Sequence, residues 1–117
     1  MPRVTESSKF KTVGISPGTG ATVLYTVPNN YSSIVRHLSV NNNNSAAKKV
    51  TVQYYDASTS SYYFIAEDYS IAANGYNNIV DGNFINLNTG DKIFLKAETA
   101  GTISALISLE EFYNPNR

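Results

Sequence analysis

The chain has 117 residues, enough to close one hydrophobic core and too few for a second domain. Nine Lys and Arg balance nine Asp and Glu, so no net field favours nucleic acid or an anionic membrane as partner. With no cysteine, disulfides and thiolate metal sites are excluded, and stability must come from packing or oligomerisation.

Charged residues make up only 15% of the chain, so its polar surface is built mainly from Asn, Ser and Thr. Such a surface suits a protein that packs against neighbours in an assembly. Residues 1–8 are polar and aperiodic and read as an N-terminal arm. They lack the apolar core of a signal peptide, and no run in the chain is long enough to cross a membrane. A product assembled in the cytoplasm is therefore expected.

A first strand is expected over residues 9–15, ended by "SPGTG" at 16–20, where Pro and two Gly turn the chain. Residues 21–27 form a second, with Val23, Tyr25 and Val27 on one face; Pro28 has no donor for a ladder and ends it. A third strand covers 31–40, where Ile34, Arg36, Leu38 and Val40 alternate with Val35, His37 and Ser39. "NNNNSAA" at 41–47 reads as a loop, because Asn tolerates left-handed backbone and bonds to its own chain.

Residues 48–55 then place Val50, Val52 and Tyr54 on one side, and "DASTS" turns the chain into a strand over 61–67. Residues 68–76 suggest a short helix-like turn closed by Asn74-Gly75. Short extended pieces follow at 77–80 and 84–87, then "NTGD" leads into a strand over 92–97. The last strand, 102–112, alternates Ile103, Ala105, Ile107 and Leu109 with smaller residues. About eight short strands at roughly 8–12-residue spacing, without a sustained helical period, predict an all-β antiparallel sandwich, jelly-roll-like. That domain is expected over 9–113, with 114–117 as a short tail.

No constellation for chemistry stands out. His37 is the single histidine, placed mid-strand, and no Ser sits in a nucleophile elbow; a structural or interfacial role is expected for it. Metal binding through it would need a second imidazole or thiolate. Asp81-Gly82-Asn83 lacks the spacing of a calcium loop and uses letters that hairpin turns favour. Glu110-Glu111 reads as a rim of charge that discourages edge pairing. No catalytic, cofactor or metal residue is expected.

The excess is aromatic: nine Tyr and five Phe, without Trp. Tyr54, Tyr55, Tyr62, Tyr63 and Phe64 share one expected hairpin, and alternation sends aromatics to both of its faces. Tyr buries area cheaply while keeping a polar handle, so this hairpin, with Arg36 and His37, is the expected protein interface. Strand phase alone does not settle which Tyr of each pair faces outward.

"LYTVP" at 24–28, the strand with "IV" and "LSV" that ends in a polar turn, and "LNTGDKIFLKA" at 87–97 carry a resemblance. Over about residues 19–112 the chain resembles small β-rich structural proteins of tailed bacteriophages, including marine and cyanophage-like ones. The resemblance implies a virion component, either a capsid decoration or cement protein or a tail, neck or fibre subunit. Its implied partners are phage structural proteins and further copies in a symmetric homo-oligomer, with no nucleic acid and no membrane. A carbohydrate- or receptor-binding module is the alternative from another class.

Overall fold

The computed structural model describes residues 8–113 and Pro115. Nine strands follow in order: β1 (Ser8–Ile15), β2 (Thr22–Thr26), β3 (Tyr31–Asn42), β4 (Lys48–Asp56), β5 (Ser61–Ile71), β6 (Tyr76–Asn78), β7 (Ile85–Leu87), β8 (Lys92–Ala97) and β9 (Ile103–Tyr113). Tyr and Ile recur through these stretches because branched and aromatic side chains fit a pleated surface. The expectation of an N-terminal arm at 1–7 lies outside the described residues, as does that of a tail at 114, 116 and 117; Ser8 already belongs to β1.

Two antiparallel sheets form the sandwich. One runs β1-β9-β3-β6, with β7 sharing the outer edge of β3; the other runs β2-β8-β4-β5. This is the strand order of a jelly roll, in which most successive segments cross from one sheet to the other and β4–β5 forms a hairpin within one. Pro17 and Pro28 sit in the β1–β2 and β2–β3 crossings, where a missing N–H costs no ladder bond. The twelve-residue β3 is flanked along one edge by two short pieces: β6 pairs with 39–41 and β7 with 33–35.

Between the sheets lie Val35, Leu38, Val40, Val50, Val52, Ile93, Leu95, Ile103, Ile107 and Leu109, each at most 1% exposed. Removing each from water stabilises the fold by about 1.5–3 kcal/mol before the entropy of ordering is counted.

Simple alternation fails where β2, β3 and β5 bulge. In β3 the register shifts between Val35 and His37, so Val35, Leu38 and Val40 all point inward, while Arg36 is exposed. Ile34 and Leu38, expected on one face, therefore lie on opposite ones. In β2 a shift between Val23 and Tyr25 leaves Val23 exposed beside Phe94, while Leu24 and Tyr25 are both buried. One extra residue in a strand reverses the phase of everything after it.

Two further expectations are corrected. Residues 68–71 continue β5 rather than forming a helix-like turn, because Lys48, Lys49 and Val50 offer partners to Ile71, Ser70 and Tyr69. The turn at Asn74-Gly75 does form, with Asn74 at a φ of 56°. Finally, Glu111 is no rim charge: β9 is central in its sheet, and alternation after Leu109 turns Glu111 into the interior, 2% exposed.

Candidate interaction surface

Sheet β2-β8-β4-β5 turns one face to the core and the other to solvent. In β8, burial of Ile93 and Leu95 forces Lys92, Phe94 and Lys96 outward. Phe94 is directly opposite Val23 of β2 and Gln53 of β4, and Gln53 is opposite Phe64 of β5. Two residues along each strand, Lys92 faces Tyr55 and Tyr55 faces Tyr62.

These two rows merge into one surface. The rings of Tyr55 and Tyr62 are 4.8 Å apart between centroids, and Tyr62 reaches within 5.7 Å of Phe94. The Lys92 ammonium lies 5.7 Å from the Tyr55 ring, its charge held at the margin of the patch. Tyr62 is 57% exposed, Phe64 54% and Val23 41%. Several large apolar groups are thus left in water together on one face of the sheet.

Of the residues expected at an interface, Tyr55, Tyr62 and Phe64 come together here. Tyr54 and Tyr63 stack on the other side of the hairpin, 6.1 Å between centroids. Tyr63 stays exposed because β5 is an edge strand, whereas Tyr54 donates a 3.3 Å hydrogen bond to Asp91 Oδ2. Burial and the nearby Asp91 and Asp56 charges push the Tyr54 phenol up to about 12. Arg36 and His37 are not part of the patch. They lie on the outer face of the opposite sheet, where Arg36 pairs with Glu110 at 3.4 Å.

Phe94 and Val23 escaped the sequence reading. The alternation in "KIFLKA" carries the signal for Phe94, since inward Ile93 and Leu95 require it to face out. Val23 is hidden by the β2 bulge.

Two buried carboxylates were also missed. Asp91 accepts hydrogen bonds from the backbone N–H of Ala57 at 2.9 Å and of Asn88 at 2.8 Å, joining two turns at one end of the sandwich. Glu111 accepts a 2.6 Å hydrogen bond from Tyr25 Oη, and Lys9 and Lys11 stand 3.9 and 3.7 Å away from its oxygens. Burial first, then the bond to Glu111, holds the Tyr25 phenol well above its ordinary range, so it donates and does not act as a base. Each cluster is closed on itself, joining strands rather than facing a substrate. Among the described residues no three His, Cys, Asp or Glu side chains converge as a metal site would require.

No protein-family model matches the chain, and no curated protein sequence matches it. Its fold is similar to that of a chain from the acidic stable capsid of Helicobacter pylori bacteriophage KHP30. The TM-score is 0.54 at 13% identity, over 97% of this chain and 92% of that one. It is also similar to a subunit of the Bacillus endospore appendages, described as a novel family of disulfide-linked pili. There the TM-score is 0.54 at 8% identity, over 92% of this chain and 87% of that one. At such identities the likeness is one of fold. The structural neighbours of this small β-rich protein thus include a bacteriophage capsid protein and a bacterial pilus protein.

Proposed function

We propose that the chain is a non-enzymatic structural protein of a bacteriophage virion, a capsid decoration or cement protein that stabilises the head through protein–protein contacts. The observation that carries this reading is the aromatic face of Tyr55, Tyr62, Phe64 and Phe94 on a rigid, charge-poor sheet. Tyr and Phe side chains held by strand pairing lose little further freedom on binding, which makes them efficient anchors. Its partners are then phage structural proteins, the major capsid protein foremost, and other copies of itself. The jelly-roll likeness to a phage capsid chain supports the same reading at the level of fold. Because the sequence has no cysteine, its contacts are not disulfides, unlike those of disulfide-linked pili.

A subunit of the tail, neck or fibre would use the same face. So would a receptor-binding module, since Gln53 sets an amide between the Phe94 and Phe64 rows where a sugar could stack and bond. A glycan array with and without calcium separates this last reading from the first.

The test is incorporation. A Tyr62→Ser, Phe94→Ser double variant keeps the fold, because both side chains lie on the outer face. It is expected to lose most of its occupancy on particles, read by cryo-electron microscopy beside the wild type. Wild-type occupancy of the double variant overturns the reading.

A further inference from the structure

The two long sides of the sandwich differ. On one side the edge strands β1 and β2 lie against each other. On the other, β5 and β6 border a groove of about 430 Å³ with Ile65, Ala66, Tyr69 and Ile79 among its lining, bridged where Asn77 Nδ2 donates to Tyr69 Oη. The groove carries two carboxylates, Glu67 and Asp81, and no cationic side chain lines it. Among the described residues neither carboxylate is in an ion pair.

The β1 side has the opposite sign. Lys9 and Lys11 are 56% and 45% exposed, and both approach the single carboxylate of Glu111, which leaves one positive charge in excess. Beyond them β1 is uncharged, with Val13 and Ile15 on the same face as the lysines. β5 is built in the reverse order: residues 61–66 are uncharged and Glu67-Asp68 follow. Both strands end their sheets; β1 pairs without a shift, whereas β5 bulges on either side of Ala66, so its unbroken edge is Ser61 to Phe64.

We propose that β1 of one copy adds to β5 of the next, antiparallel, so that the sheets of successive copies continue head to tail. This rests on the reading of the chain as an assembly subunit. Antiparallel addition sets Lys11 against Glu67 and runs the uncharged half of β1 along the uncharged half of β5. The parallel alternative that keeps Lys11 at Glu67 sets Lys9 against Ile65, inside the uncharged half of β5. Main-chain hydrogen bonds supply the affinity and the opposed charges fix the alignment. The contact joins two different surfaces, so it repeats into a ring or a filament rather than closing as a twofold dimer.

The absence of native cysteine makes the test direct. Thr12→Cys and Phe64→Cys are prepared as separate full-length variants, one carrying a mass tag, and mixed under assembly conditions with a short bismaleimide. These exposed positions lie on the continuing outer face and fall within diagonal cross-strand reach, about 7–8 Å. The expected product is the mixed Thr12→Cys/Phe64→Cys dimer. Links only between like variants, or none in a sample that sediments as an oligomer, overturn the proposal.

Charge exchange is the second arm. Glu67→Lys with Asp81→Lys, which leaves Lys9, Lys11 and the buried Glu111 untouched, is expected to weaken self-association about tenfold. Unchanged self-association counts against the proposal. Particles that contain the protein without the mixed cross-link sink the strand addition and leave the virion reading standing. The mixed cross-link in solution, for a protein absent from particles, does the reverse.

Discussion

Tyr25 and Glu111 lie 86 positions apart in sequence and meet across the interior of the sandwich, Oη to Oε2 at 2.6 Å. Tyr25 belongs to one sheet and Glu111 to the other, so this bond ties the layers where hydrophobic contact alone would let them slide. The phenol has one proton and gives it to the carboxylate; Ser33 Oγ, 2.6 Å away, therefore donates its own to Tyr25. With Lys9 and Lys11 closing the outer side, a buried charge is held by hydrogen bonds and two cations, as burial requires.

Tyr25→Phe removes the proton and keeps the ring. Glu111 then loses its short bond inside the fold, at a cost of about 1–3 kcal/mol. For a domain of this size that lowers the melting temperature by about 5–15 °C. Glu111→Gln keeps an acceptor for Tyr25, so the two substitutions couple in a double-mutant cycle by about 1 kcal/mol or more. Independent, additive losses in calorimetry would show that the bond does not hold the sheets.

The same burial makes stability depend on alkaline pH. A tyrosine is neutral when protonated, and in the fold Tyr25 is raised above its ordinary 10.0, while Tyr54 is raised to about 12. Below pH 10 both are protonated in folded and unfolded chains, and their contribution is fully present. Above it the unfolded chain releases protons that the folded one retains, so stability falls as pH rises towards 12. Urea midpoints measured from pH 9 to 12 should therefore drop, in step with late phenolate absorbance near 295 nm. A Tyr25→Phe, Tyr54→Phe double variant should flatten that drop relative to its own value at pH 9. An unchanged slope would contradict the assignment.

Much of this architecture could be read from the chain because strands alternate with a period of two, and the turns at 16–20, 56–60 and 88–91 are written in Gly, Pro, Asp, Ser and Asn. Bulges could not be read, since "SIVRHLSV" reads as regular alternation until β9 shows Arg36 to be the extra residue. The asparagines at 41–44 looked like interchangeable loop. Asn42 is in fact fully buried, its Nδ2 donating to the carbonyls of Ala46, Ile71 and Ala72 at 2.9 to 3.2 Å. Side-chain bonds to residues 29 and 30 positions away leave no periodic trace. The aromatic hairpin was legible for a related reason: five aromatics in two neighbouring segments need only local geometry to meet. Arg36 and His37 were grouped with it without such geometry, and the sandwich holds them on its other outer face.

Asp91 links the turn that precedes β8 to the one that carries the aromatic hairpin. Its two oxygens accept from Ala57, Asn88 and Tyr54, and Gly90 beside it, at a φ of 87°, brings the turn to within contact of Ala57. In Asp91→Ala the N–H groups of Ala57 and Asn88 lose their acceptor inside a half-buried corner, at a cost of about 2–4 kcal/mol. The loss is local before it is global, since the core strands β4 and β8 keep their own pairing. Hydrogen exchange should therefore rise first in residues 56–61 and 88–91, with the core of β9 still protected. Tyr55 and Tyr62 flank that loosened turn, so their surface loses its preorganisation, and the particle binding proposed for it should weaken more than the stability change alone requires. Exchange that rises uniformly along the chain, with binding intact below the melting temperature, would separate Asp91 from the surface it is argued to hold.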